Sequence, residues 1–219
     1  VKYDFIYFIG DSYTFGVGQG EDLHNEVTME NRYSQLVADE LQLPLVNHAV
    51  PGCSNDYIAR TITTNMLEYK QQGLNPLVIV CYTDCDRREM WYEAENQPTT
   101  INFEMPIHKI YITQHYNRNY NEDIFRYHFT SIKHMLKYMN FDFIETFSSR
   151  EIPEHYERGL DNSAEISTTF IELAGDDGCF VTEHVPGQFL RGHLNVKGNK
   201  IIANHIIEKY KELYGTTNE

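Results

Sequence analysis

YFIGDSYTFGVGQG, residues 7–20, runs an apolar segment straight into Gly10-Asp11-Ser12 and then into a loop with glycines at 16, 18 and 20. The residues leading into it, Tyr3 to Ile9, are apolar at both parities, as a central parallel strand covered on both faces must be. Three meanings are open for the Gly-Asp-Ser loop: a backbone-rich cradle for an anion, a serine presented as a nucleophile, or a helix start capped by Ser or Asp. The cradle fits poorly. A P-loop needs a lysine after its glycines, where this chain has Gln19 and Glu21, and the dinucleotide fingerprint needs Gly-x-Gly-x-x-Gly opening a helix, where Gly10 is followed by Asp-Ser.

Strands and helices alternate beyond this stretch. Residues 32–42 place Tyr33, Leu36, Val37 and Leu41 at helical spacing, 43–50 form a short strand, and 55–71 put Ile58, Ile62, Met66 and Leu67 on one helix face. Residues 76–82, PLVIVCY, are a nearly wholly apolar strand after a Gly/Pro break. This order predicts a parallel sheet with right-handed crossovers. Residues 86–122, rich in aromatics, Asn and charge without a clean period, predict an irregular rim or lid. The rest reads as a helix over 122–139, a strand over 141–147, a weakly patterned polar stretch over 148–178, a short fifth strand at 179–184 (CFVTEH), and a closing helix over 196–213. No linker divides the chain. The expectation is one α/β domain over 1–219, three-layered and flavodoxin-like, with about five parallel strands.

A formal net charge of −14 over 219 residues argues against a nucleic-acid or anionic-membrane partner. No run approaches the roughly 20 apolar residues of a membrane span. Val1-Lys2-Tyr3-Asp4 lacks the layout of a signal peptide. The four cysteines, Cys53, Cys81, Cys85 and Cys179, have no zinc-like pairing and read as reduced, buried thiols, so the expected location is cytoplasmic. Ten scattered histidines form no ligand frame, and no metal is expected.

GDSYTFGVG at 10–18 resembles the first sequence block of the SGNH, or GDSL-type, serine hydrolases, in which Gly-Asp-Ser follows the first strand. NHAVPGCSND at 47–56 is similar to the second block, and RGHLNVKGNKIIANHI at 191–206 to the last, with a histidine just before the C-terminal helix. The three come in family order across nearly the whole chain. Small members of phage-like genomes look similar, with SND after the second-block glycine and an arginine pair after the third strand. The resemblance implies an esterase without cofactor, with Ser12 as nucleophile and His193 as base. It assigns the oxyanion hole to the backbone N–H groups of Ser12 and Gly52 and to a side-chain amide.

Two blocks depart from the pattern. Where the third block usually supplies an asparagine, this chain has Tyr82-Thr83-Asp84, which leaves the Thr83 hydroxyl or the nearby Asn55 amide as third donor. Where an aspartate usually precedes the histidine by three, it has Leu190, so a backbone carbonyl near 190, or Asp176, Asp177 or Glu183, must orient the imidazole. Asp11, Arg87 and Arg88 are candidate substrate-binding residues, the arginines for an anionic group or else as a solvated pair bridging Asp86 and Glu89. The aromatics Tyr92, Phe103, Tyr111, Tyr116 and Tyr120 read as packing or as a platform for sugar rings. The expected reaction is hydrolysis of a small acyl ester on a carbohydrate or similar alcohol. The rival readings are a catalytically silent binding scaffold and an acyltransferase.

Overall fold

The computed structural model describes residues 2–17, 26–92, 97–100, 117–148, 164–166, 168–185 and 188–215. Four strands form one parallel sheet: β1 (Phe5–Ile9), β2 (Leu45–Asn47), β3 (Pro76–Tyr82) and β6 (Phe143–Phe147), in the order β2-β1-β3-β6. The chain winds first to one edge and then to the other, so strand order reverses between β1 and β3. A crevice at the carboxyl ends of those strands is where ligands bind in open sheets of this kind.

Helices cover both faces. The side chains of Tyr7, Ile9, Val78, Val80, Phe143 and Phe147 pack under α4 (Asn55–Gln72) and α5 (Arg118–Tyr138). Those of Ile6, Phe8, Leu77, Ile79, Cys81 and Ile144 pack under α3 (Tyr33–Leu41) and α7 (Val196–Tyr214). Alternate residues of one strand therefore serve two cores, which is why β1 and β3 are apolar throughout and buried at every position. This is the expected three-layer α/β architecture. Three shorter helices, α1 (Ser12–Phe15), α2 (Glu26–Asn31) and α6 (Phe170–Ala174), complete the set among the described residues.

The fifth strand is not where the sequence placed it. Residues 179–184 fall in β7 (Cys179–Val185), which pairs antiparallel with β8 (Gln188–Leu194) as a separate hairpin. What lies beside β6 is the short segment 164–166: Glu145 N–H donates to Ala164 O at 3.0 Å and Ile166 N–H to Glu145 O at 2.8 Å. The Pro186-Gly187 dipeptide is a hairpin signal in the sequence, and a run as short as 164–166 carries no periodicity to read. Within 86–122, β4 (Glu89–Tyr92) and β5 (Gln97–Thr100) form a second hairpin, and α5 begins at Arg118 behind an Asn117 cap. Residues 93–96 and 101–116 of the expected rim lie outside the described residues.

One buried charge pair sits under the sheet. Lys133 of α5 holds its Nζ 3.0 Å from Glu145 Oε2, with both side chains almost fully enclosed, and Tyr82 donates its hydroxyl to Glu145 Oε1 at 3.0 Å. Burial pushes the Glu145 carboxyl up to about 7 against the opposing pull of Lys133. A folded-state value above the unfolded one means that stability is full below the unfolded value and declines as pH rises through the folded one. Lys133→Met removes the compensating charge. It is expected to cost about 3–5 kcal/mol at pH 8, and distinctly less at pH 5 where Glu145 takes up a proton. Urea unfolding at the two pH values measures this; equal losses would contradict it.

Candidate active site

Ser12 lies three residues past the end of β1 and opens α1. Asp11 caps that helix, its Oδ1 accepting from Tyr13 N–H at 3.0 Å. As the first residue of the helix, Ser12 has a backbone N–H with no intrahelical acceptor. It donates to no protein group among the described residues. Gly10 just upstream is obligatory, because a Cβ there would collide with the Thr14 side chain and lie 2.8 Å from Cys81 Cβ.

The second loop is tied to the first through Gly10. Val50 N–H donates to Gly10 O at 3.0 Å, and the Cys53 thiol lies 3.2 Å from the same oxygen. Gly52 sits at φ +76°, where glycine is strongly favoured. A Cβ there would meet nothing within 4 Å, so the space above it is open. Its N–H, like that of Ser12, has no protein acceptor among the described residues.

His193 is the penultimate residue of β8, three before α7. Its Nε2 lies 2.8 Å from Ser12 Oγ, bridging 181 positions of sequence. Tyr13 supports the imidazole with ring centroids 5.1 Å apart, and its hydroxyl reaches Gly192 O at 3.4 Å. Burial lowers the pKa of His193, the Asp11 charge opposes that, and the Arg87 charge adds to it. The net effect favours the neutral imidazole.

The other candidates fall into several groups. Asn55 is committed to backbone: its Nδ2 donates to Thr83 O (2.9 Å) and Asp84 O (3.2 Å), and its Oδ1 accepts from Thr83 N–H (3.0 Å). Both amide hydrogens are used, which removes it as a donor to substrate. The Thr83 hydroxyl is likewise engaged, donating to Asp11 Oδ2 at 2.8 Å. Arg87 points into the same cluster, with Nη1 at 3.2 Å from Asp11 Oδ2 and 3.0 Å from Thr83 Oγ1. Arg88 does not. Its Nε is held 2.7 Å from Asp56 Oδ2 on α4, whose other oxygen contacts His128 Nε2 of α5 at 2.8 Å, so Arg88 ties the segment after β3 to the α4–α5 pair. The expected bridge from this pair to Glu89 is absent too, since Glu89 pairs with Arg60 at 3.0 Å.

Asp177 is turned outward to Lys197 Nζ at 3.0 Å, with 84% of its side chain exposed, and Asp176 stands exposed beside it. Among the described residues, the charges acting on His193 are those of Asp11 and Arg87. Glu183 lies on β7 opposite Phe189; its side chain is outside the described residues, as are those of Tyr92, Phe103, Tyr111 and Tyr116. Tyr120 stacks under the Arg88 guanidinium at 5.7 Å. Sequence reasoning missed Ser148. It sits just past β6 and donates to Asp11 Oδ2 at 2.9 Å, a contact with no local motif to announce it.

Asp84, Cys85 and Asp86 bring ligand atoms within 4.8 Å of one another. Their groups are otherwise occupied: Asp84 Oδ1 accepts from Asp86 N–H, Asp86 Oδ1 accepts from Asn121, and burial with adjacent carboxylates pushes the Cys85 thiol up to about 12. A protonated thiol is a poor metal ligand.

At the carboxyl end of a parallel α/β sheet, a serine is thus hydrogen-bonded to a histidine, and the backbone N–H groups of Ser12 and Gly52 have no protein acceptor among the described residues. No family model matches the sequence, and no curated protein matches it. Solved structures do match. A protein assigned to the lipolytic G-D-S-L family from Desulfitobacterium hafniense DCB-2 superposes with TM-score 0.51 at 12% identity, over 94% of this chain and 99% of its own. A psychrotrophic esterase from Pseudoalteromonas sp. gives 0.53 at 13%, over 97% and 100%. An acetyl xylan esterase from the rumen bacterium Butyrivibrio proteoclasticus gives 0.53 at 12%, over 99% of this chain and 65% of that one. The chain has the fold of the GDSL/SGNH esterases. No described helix is long and apolar enough to cross a membrane.

The two charges that flank the imidazole predict opposite shifts. Asp11→Asn removes a negative charge that favours the imidazolium, so the His193 titration midpoint should fall. Arg87→Gln removes a positive charge, so it should rise. NMR titration of the histidine ring reads both; a midpoint unmoved in either variant would contradict the assignment.

Proposed function

We propose that the chain is an esterase that cleaves a carboxylic ester by nucleophilic catalysis, with Ser12 as nucleophile and His193 as general base. The observation that carries the reading is the 2.8 Å contact between His193 Nε2 and Ser12 Oγ, inside the distance that proton transfer requires. Burial keeps the imidazole neutral, and therefore able to accept a proton, at neutral pH. As Ser12 Oγ bonds to the acyl carbon, its proton passes to Nε2 and the carbonyl oxygen becomes an anion, which the free N–H groups of Ser12 and Gly52 receive. The negative charge of Asp11 favours the imidazolium so formed. His193 then returns the proton to the departing alcohol oxygen, and a water molecule repeats the sequence to release the acid.

The substrate we propose is a small acyl group on a carbohydrate or similar alcohol, hydrolysed without cofactor. The acetyl xylan esterase among the fold neighbours supports this choice. The β4–β5 hairpin grows directly from the segment that carries Arg87.

Labelling with a fluorophosphonate and turnover of p-nitrophenyl acetate test the reading. The expected result is attachment at Ser12, with kcat falling at least about 10³-fold in Ser12→Ala and in His193→Ala. No labelling and no turnover above the Ser12→Ala level would make the chain a silent binding scaffold. Appearance of the acyl group on an added alcohol rather than in free acid would identify a transferase. Gly52→Ala, which moves an unclashing but φ-strained N–H, should cost roughly 1 kcal/mol of stability and a larger factor in kcat.

A further inference from the structure

We propose that Arg87 is itself a catalytic residue: its guanidinium donates to the oxyanion formed at the acyl carbon attacked by Ser12. The inference rests on the Ser12–His193 reading and adds to it a cation at the point where negative charge develops.

Four observations converge. First, the guanidinium is fixed beside the nucleophile, Nη1 donating both to Asp11, the residue before Ser12, and to Thr83 at the end of β3. Second, only Nη1 is occupied among the described residues. Nε and Nη2 have no acceptor there, and the side chain is 34% exposed, so part of a five-donor fork remains available. Third, its charge reaches the imidazole that holds Ser12 Oγ. Fourth, the neutral groups that might serve instead are spent, Asn55 on two carbonyls and Thr83 on Asp11.

The backbone around Arg87 is also held. Arg87 N–H closes a turn onto Asp84 O at 3.1 Å. The next two residues are bound to α4, Arg88 and the Glu89 N–H both donating to Asp56 Oδ2. A donor that must meet a charge existing only transiently gains most when it needs no rearrangement. Asp11 Oδ2 also accepts from Thr83 and Ser148, so the carboxylate does not depend on Arg87 alone for its hydrogen bonds, and the remaining guanidinium donors are left for another acceptor. Charge-assisted bonds to an oxyanion are roughly twice as strong as neutral ones, and arginine is protonated at every working pH.

The flow of electrons leaves Arg87 unchanged. The Ser12 Oγ–carbon bond forms, the carbonyl π pair moves to oxygen beside the guanidinium, and the Ser12 proton moves to His193 Nε2. On collapse the pair returns, the bond to the alcohol oxygen breaks, and that oxygen takes the proton.

The test uses the full chain, a neutral ester (p-nitrophenyl acetate) and the variants Arg87→Met and Arg87→Lys. Arg87→Met is expected to lower kcat about 10²–10³-fold with KM changed less than about threefold. Arg87→Lys should lie between it and the parent, and millimolar methylguanidinium should restore part of the activity of Arg87→Met. Should Arg87→Met fail to fold by its thermal unfolding midpoint, Arg87→Lys and Arg87→Gln carry the same comparison. A raised KM with unchanged kcat would overturn the proposal in favour of ground-state substrate binding, as would parental kinetics in a folded variant, and both leave the ester-hydrolysis reading intact. An inert but folded parent chain overturns both.

Discussion

The carboxylate of Asp11 is the point on which the active end of the sheet depends. It is 1% exposed, and a charge taken so far from water is tolerated only when its lone pairs are filled. Its Oδ1 is used locally, on the first turn of α1. Its Oδ2 gathers Thr83, Arg87 and Ser148, which stand at or just past the ends of β3 and β6. Two strand ends are thereby bound to Asp11, which follows the end of a third, β1, and precedes Ser12. Any drift of one strand would strip a donor from a buried anion, so Ser12 inherits the rigidity of the sheet although it lies in a four-residue helix too short to be rigid alone.

A second set of contacts fixes the loop that carries Gly52. Asn55 exchanges hydrogen bonds with both backbone groups of Thr83, acting as a strand partner made from a side chain, and so joins the start of α4 to the end of β3. The opposite side of the loop is joined to Gly10 through Val50 and Cys53. The N–H groups of Ser12 and Gly52, which have no protein acceptor among the described residues, therefore belong to a helix start and a loop that both connect to Gly10. Their separation is set by one residue whose lack of a side chain lets β1 approach Thr14 and Cys81. Preorganised donors of this kind need no reorientation as charge appears.

How much an element discloses in sequence depends on what stabilises it. Buried parallel strands must be apolar on both faces, so β1 and β3 were readable to within two residues, as were the crossover helices with their single apolar stripe. Elements stabilised by other means were hidden. The start of α5 at Arg118 comes after a cap by Asn117 and runs through a polar first turn, so the apolar period that sets in at Ile124 places it late; the Asn cap was the available signal. The strand beside β6 consists of two hydrogen bonds. For the site, Ser12, Gly52 and His193 each stood in a recognisable block; Ser12 and His193 lie 2.8 Å apart, and the loop of Gly52 is bonded to Gly10. The work of Asp11, Arg87 and Ser148 was not legible, because it depends on β1, β3 and β6 ending side by side, and strand order is not written in any local pattern.

The electrostatics of the base arise from the same arrangement. His193 comes from a hairpin outside the parallel sheet, and burial works against its charged form. An imidazole proposed to become a cation in mid-reaction needs a negative charge at hand, and among the described side chains of the segment before it Asp177 is turned outward. The compensating charge comes instead from Asp11, adjacent in sequence to the nucleophile rather than to the base. Because Arg87 is bound to that same carboxylate and acts on the imidazole with opposite sign, the proton affinity of His193 reflects its burial together with the balance of one ion pair. The position of Ser12, the proton affinity of His193 and the placement of the Arg87 guanidinium are then three consequences of a single carboxylate, and a change at Asp11 must alter all of them together.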